Sequence, residues 1–184
     1  AATTGGTGGS AISGGGTLTV QNMGGTASFT GAVSATALSV GATVLNFSST
    51  GSGGTITNAV AFTNSGTLTL GQAAGTQTYT GGLDTSGAGG LVTLNGTIAT
   101  TNTALKVGAV TLGSATTLNT NATNATGAIT LAGAITGGGF ALTLQTANGI
   151  AAGISDASTI SGVGTLTIQN MGGTASFTGA VSAA

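Results

Sequence analysis

The chain has 184 residues, enough for one ordinary domain, yet only 2% of them are charged, against roughly 25% in a typical soluble protein. Its whole ionic inventory is Lys106, Asp84 and Asp156, and it contains no Glu, Arg, His, Cys, Trp or Pro. Such a chain has almost no ligands for zinc, haem or an iron–sulfur cluster, no thiol nucleophile, no disulfide framework and no basic footprint for nucleic acid. A net charge of −1 also gives it no electrostatic hold on anionic lipid.

Short tetrads punctuate the chain from the amino end: TLTV from Thr17, ALSV from Ala37, TITN from Thr55, TLTL from Thr67, LVTL from Leu91, AVTL from Ala109, AITL from Ala128, ALTL from Ala141 and TLTI from Thr165. Within Thr17, Leu18, Thr19 and Val20 the apolar side chains share one face and the hydroxyls share the other, a period of two that marks a strand. Thr, Val and Ile are stiff at χ1 and reinforce the preference. Gly-rich clusters lie between the tetrads, as at 23–25, 50–54 and 137–139, and predict corners. Leu18, Val20, Leu38, Val40, Ile56, Leu68, Leu70, Val92, Leu94, Val110, Leu112, Ile129, Leu131, Leu142, Leu144, Leu166 and Ile168 are the expected inward ladders. Phe29, Phe47, Phe62, Phe140 and Phe177 are expected to stack at wider places, and Asn22, Asn95 and Asn170, each just after a tetrad, at corners.

The sequence also repeats. Residues 12–36 and 160–184 differ at only three of 25 positions, Gly15 against Val163, Val20 against Ile168 and Thr36 against Ala184, at an offset of 148 residues. The steps between successive tetrads are 20, 18, 12 and 24 residues, then 18, 19, 13 and 24, so the unit divides into two halves of 74. The expected organisation is one continuous segment over 1–184 with a unit at 12–159 that restarts at 160, its halves at 17–90 and 91–164. Ala1 is preceded by no initiator Met and no basic leader, so the segment reads as an interior or processed piece of a longer array.

The many β-branched residues argue against a disordered linker, and Gly, Thr, Ser and Asn interrupt every apolar run before it reaches the length of a membrane span. No window carries a helical stripe. An antiparallel sandwich and an outer-membrane barrel also use alternating strands, but a barrel needs aromatic girdles and aromatics here are 3%. Near-identical units favour stacking in register, so the predicted fold is all-β: a right-handed parallel β-helix, or β-solenoid. Eight coils in 148 residues would advance roughly 38 Å. The short steps suggest that TLTL from Thr67 and ALTL from Ala141 lie on a second face of a coil.

In passages such as SGTLTLGQAAG and GAITLAGAITGGG the chain resembles the repetitive passengers of filamentous-haemagglutinin-like exoproteins and large autotransporter adhesins, over its whole length. The resemblance implies a secreted parallel β-helix that serves as adhesin, biofilm component or cell-surface fibre, and it carries over no functional residue. Its near absence of charge departs from most of those proteins.

No catalytic, cofactor or metal residue is expected. Asp84 and Asp156 are too few for calcium, which prefers six to eight oxygens, and read as turn residues. Lys106 reads as a solvated surface charge. The abundant Ser and Thr have no His, Glu or Arg to activate them. Asn46, Asn95, Asn121 and Asn124 begin Asn-x-Ser/Thr triplets, which chance supplies in a Thr-rich chain. The expected role is a structural component of a bacterial surface or extracellular fibre rather than an enzyme. Its expected partners are neighbouring copies of itself, without nucleic acid or membrane insertion, and with room for a surface or carbohydrate ligand. An adhesin stalk or an ice-binding face is the alternative, resting on Thr-x-Thr at Thr17, Thr55, Thr67 and Thr165.

Overall fold

The structure is a computed structural model that describes residues 7–146, 152–156 and 158–183; the repeat's last position, Ala184, and the chain start at Ala1 lie outside them. Every strand pair among the described residues is parallel, and no helix occurs. This is the β-solenoid expected from the repeat. The antiparallel sandwich and barrel are excluded by the pairing, because each strand bonds to the strand one coil away rather than to its sequence neighbour.

Each coil has three faces. The first carries Thr7–Gly8, Thr26–Phe29, Asn46–Ser49, Leu68–Leu70, residues 92–94, residues 110–112, Ile135–Thr136, Ile160–Val163 and Val181–Ala183. The second carries Ile12–Ser13, Val33–Ser34, Gly54–Ile56, Thr76–Tyr79, residues 97–100, residues 116–119, Ala141–Gln145 and Thr165–Gln169. The third carries Thr17–Val20, Ala37–Val40, Val60–Ala61, Leu83–Asp84, Leu105–Val107, Ile129–Leu131, Ile154–Asp156 and Ala175–Phe177. Eight coils result, and Val181–Ala183 opens a ninth. Val92–Thr100 and Val110–Asn119 run unbroken around the corner from the first face to the second, with a register shift at Leu94/Gly96.

Alternation decides what is inside. The third face stacks Val60, Leu83, Leu105, Ile129 and Ile154 inward, all buried, while Ala61, Asp84, Lys106, Thr130 and Ser155 point outward in the same register. The first face stacks Phe47, Leu68, Val92, Val110, Ile135 and Ile160. Burial of each such side chain contributes about 1.5–3 kcal/mol, and the ladders merge into one core. Fifteen of the seventeen predicted inward residues are buried; Leu166 and Ile168 point inward but stay partly exposed, because among the described residues their strand is paired only on the side of Ala141–Gln145. Phe29, Phe47 and Phe62 stack with ring centroids 5.6 and 5.4 Å apart. Phe140 is instead exposed, and Phe177 is half-buried on the last coil.

Corners are tight enough to demand glycine at particular places. Gly71 has φ +83°, and a Cβ there would fall 2.0 Å from the Asn95 carbonyl oxygen of the next coil. Asn22 and Asn170, matched positions of the repeat, both turn through the left-handed region, with φ 56° and 50°. Asn95 makes no such turn and sits half-buried within Val92–Thr100.

The coil is not the sequence unit. The tetrad from Thr17 lies on the third face of the first coil, that from Leu91 on the first face of the fifth, and that from Thr165 on the second face of the eighth. The same step takes the tetrad from Ala37 to that from Ala109, Thr55 to Ala128, and Thr67 to Ala141. A half unit of 74 residues therefore winds three and one third turns, and 148 residues wind six and two thirds rather than eight. Each half lands one face further round. The short steps do change face: TLTL from Thr67 lies on the first face after the tetrad from Thr55 on the second, and ALTL from Ala141 on the second after the tetrad from Ala128 on the third.

Candidate functional site

The outward sides of the three faces are the surfaces this chain offers. Register builds two long hydroxyl rows on them. On the first face Ser28, Ser48, Thr69, Thr93, Thr111, Thr136 and Ser161 stand in one file across seven coils. On the second, Thr76, Thr97, Thr117, Thr143 and Thr167 stand in another across five. The Thr-x-Thr spellings themselves do not stack on each other: those at Thr17 and Thr67 occupy the third and first faces, and those at Thr55 and Thr165, both on the second, lie five coils apart. The second row draws its threonines from five different strands, so no sequence motif announces it; only the pairing reveals it.

The outer ladders are cross-bonded between coils. The Asn46 Oδ1 accepts from both the Thr67 amide and the Thr67 hydroxyl at 2.9 Å, and its Nδ2 donates to the Thr26 hydroxyl at 3.4 Å. Gln169 Nε2 donates to Gln145 Oε1 one coil below, at 2.9 Å.

The ionisable residues are dispersed. Asp84 and Lys106 are register partners on the outside of the third face, with Nζ 3.2 Å from Oδ2. Lys106 is thus paired rather than simply solvated. Partial burial tends to raise the Asp84 pKa. Hydrogen bonds to Oδ1 from the Ser86 amide at 2.8 Å and hydroxyl at 2.6 Å, together with the Lys106 charge, outweigh it and hold the pKa below the ordinary value. Asp84 lies in the strand Leu83–Asp84 rather than in the turn expected of it, and its carboxylate accepts from Ser86 in the turn that follows. The pair borders an open depression of about 320 Å³ lined by small residues such as Ala61, Gly81 and Ala104.

Asp156 departs from expectation. It points into the core three coils away from Asp84, 2% exposed, in the ladder that continues Leu131. Its Oδ1 accepts from the Ser158 amide at 2.9 Å, and Oδ2 has no hydrogen-bond partner among the described residues. The structure does not bring the two aspartates together, and among the described residues no three His, Cys, Asp or Glu side chains form a cluster.

The interior holds polar side chains that composition alone does not flag. Gln77 donates from Nε2 to the Ser49 carbonyl at 2.6 Å and the Gly51 carbonyl at 3.0 Å, and accepts from the Tyr79 hydroxyl at 3.1 Å. Burial pushes the Tyr79 phenol pKa well up. Asn64 ties the Gly66 and Thr67 carbonyls at 3.0 and 2.9 Å. Thr100, Thr120 and Thr146 line one inner corner and cap the carbonyls of Thr103, Gly127 and Ala152. All close corners that would otherwise bury unpaired backbone oxygens.

Of the Asn-x-Ser/Thr triplets, Asn46 and Asn95 lie in strands, Asn121 turns a corner with φ 45°, and Asn124 sits on an exposed loop where Thr126 donates to its Oδ1.

The eighth coil presents the other surface. Its inner positions Leu166, Ile168, Ala175 and Phe177 are half-buried or exposed, beside an exposed Val181.

Compared with family models, curated proteins and solved structures, the chain matches none of them.

Proposed function

We propose that this chain is a structural component of an extracellular or cell-surface bacterial fibre, filament or sheath, built by stacking β-solenoid coils on further copies of itself. One observation carries the reading: parallel coils stack strand on strand, with in-register ladders on the first face from Phe47 through Leu68, Val92, Val110 and Ile135 to Ile160, all merging into one continuous core. The resemblance to filamentous-haemagglutinin-like and autotransporter adhesins supports the same role. Three ionisable side chains, two of them paired with each other, support a scaffold rather than a catalyst, a nucleic-acid binder or a membrane-inserted chain.

Electron microscopy of the native material tests this. Long thin fibres with an axial spacing of about 4.8 Å are expected. Compact monomers at every concentration would sink the proposal.

The threonine row on the second face favours a second reading, a binding surface for ice or a carbohydrate on an adhesin stalk. A soluble fragment then shows thermal hysteresis or glycan binding that Thr117→Val and Thr143→Val reduce. Absence of both activities rejects it.

A further inference from the structure

The corner from the second face to the third is short in the fourth and fifth coils, at residues 80–82 and 101–104. In the sixth coil it is residues 120–128, a loop that joins Val110–Asn119 to Ile129–Leu131 and exposes residues 123–126. That loop holds two successive Asn-x-Thr triplets, from Asn121 and Asn124. Asn102, one coil away, pins it: the Asn102 Oδ1 accepts from the Thr123 and Asn124 amides at 2.8 and 3.1 Å.

An N-linked sugar is joined through the side-chain nitrogen of the Asn in such a triplet, so that atom has to be reachable. The four triplets of the chain differ at that atom. Asn46 Nδ2 donates to the Thr26 hydroxyl from within a strand, and Asn95 Nδ2, half-buried, donates to the Leu70 carbonyl at 3.5 Å. Asn121 Nδ2 donates to the Thr100 carbonyl at 3.0 Å. Asn124 is exposed, and its Nδ2 donates to nothing among the described residues. Its Oδ1 accepts from the amide of its own triplet's Thr126 at 2.9 Å, and the Thr126 hydroxyl stands 2.5 Å from that oxygen and 2.8 Å from the Asn102 carbonyl. In none of the other three triplets does the third residue bond its own Asn side chain among the described residues.

We infer that Asn124 is an N-glycosylation acceptor. The donor is an activated sugar, with a phosphate or pyrophosphate ester at its anomeric carbon. Nδ2 attacks that carbon and the nitrogen–carbon bond forms. The carbon–oxygen bond to phosphate breaks, its electron pair leaves with the phosphate, and one Nδ2 proton passes to a base of the transferase. Hydrogen bonds from Thr126 to Oδ1 draw electron density out of the amide and make that proton easier to lose. A sugar here adds a bulky, hydrophilic group to a surface with almost no charge of its own. This inference rests on the reading of the chain as an extracellular or cell-surface fibre and names a modification of it.

Peptide mapping of the native material by mass spectrometry tests it, alongside the electron micrographs. A sugar on Asn124 is expected, with Asn46, Asn95 and Asn121 bare. Thr126→Val, made in the producing cell, should abolish the modification, Thr126→Ser should keep it, and Thr123→Val should leave it unchanged. These positions are exposed, and circular dichroism checks that each variant keeps the fold. A bare Asn124 in the native material, equal occupancy at Asn121, or occupancy that survives Thr126→Val overturns the inference. Fibres with a bare Asn124 refute the acceptor alone, and a sugar on Asn124 of a chain that forms no fibres refutes the fibre reading alone.

Discussion

Val20 and Ile168 stand at matched positions of the repeated sequence, yet Val20 is 1% exposed and Ile168 is 40% exposed. The same substitution therefore has different consequences in the two places. Val20→Asp puts a carboxylate into the core beneath Val40 and should cost about 3 kcal/mol or more. Ile168→Asp can turn its charge to water and should cost less than about 1 kcal/mol. Thermal unfolding of the two variants checks the contrast, and equal losses would contradict the open-edge geometry.

Phe47 is 1% exposed and packs against the ring of Phe29 in the coil below and that of Phe62 in its own coil. Phe47→Ala leaves a cavity that stiff, stacked coils close poorly, with an expected loss of about 3–5 kcal/mol. Because each coil contacts mainly its neighbours, the damage should stay local. Amide exchange should speed up in the second and third coils and change little beyond the sixth.

Gln77→Ala strips partners from the Ser49 and Gly51 carbonyls and from the Tyr79 hydroxyl, at about 1–3 kcal/mol for each group left dry. Thr78→Ala, its outward neighbour, should fall within about 0.5 kcal/mol of the unaltered chain. Tyr79 is the one tyrosine, so absorbance at alkaline pH reports on it alone. Its raised pKa means the stabilising preference for the neutral phenol is complete below the unfolded value of about 10 and is lost as pH rises above it. Tyrosinate should appear together with unfolding, and a phenol that ionises freely near pH 10 in the folded chain would contradict its burial.

The Asp84 pKa lies below its ordinary value, so the stability its carboxylate confers is present above the unfolded value of about 3.9 and disappears as pH falls through the folded one. The pair is largely exposed, which limits its worth to about 0–1 kcal/mol. Asp84→Asn should flatten the acid limb of the stability curve while changing stability at pH 7 by less than about 1 kcal/mol. Carboxyl chemical shifts followed through the titration give the pKa directly.

Much of the fold could be read from the tetrads, because alternation within four residues suffices to say which side chains point inward. Leu68, Leu94 and Ile129 needed nothing more. The third face between tetrads was harder. Val60–Ala61 and Leu83–Asp84 are two-residue strands, too short to show a period, and they count as strands only because their neighbours above and below pair with them. Faces without a tetrad carry no such signal, so one coil per tetrad gives eight turns to 148 residues that make six and two thirds. Asp156 was misplaced for a related reason. Composition says a carboxylate belongs at a solvated turn, but its position is set by the pairing of Ile129–Leu131 with Ile154–Asp156, which carries it inward after Leu131. The outer threonine row is likewise a product of register alone.

The one-third remainder left over after each half unit has a mechanical consequence. A rod whose repeats all faced the same way would carry its weakest seam and its densest ladder along fixed sides, and would curl toward one of them. Here the aromatic stack of Phe29, Phe47 and Phe62 occupies one sector of the first half unit, and the matching positions of the next half fall in the adjacent sector. Three successive halves distribute any bias evenly about the axis. Bending stiffness is thereby averaged over all directions, and a shaft built this way is straight without needing any single coil to be symmetric.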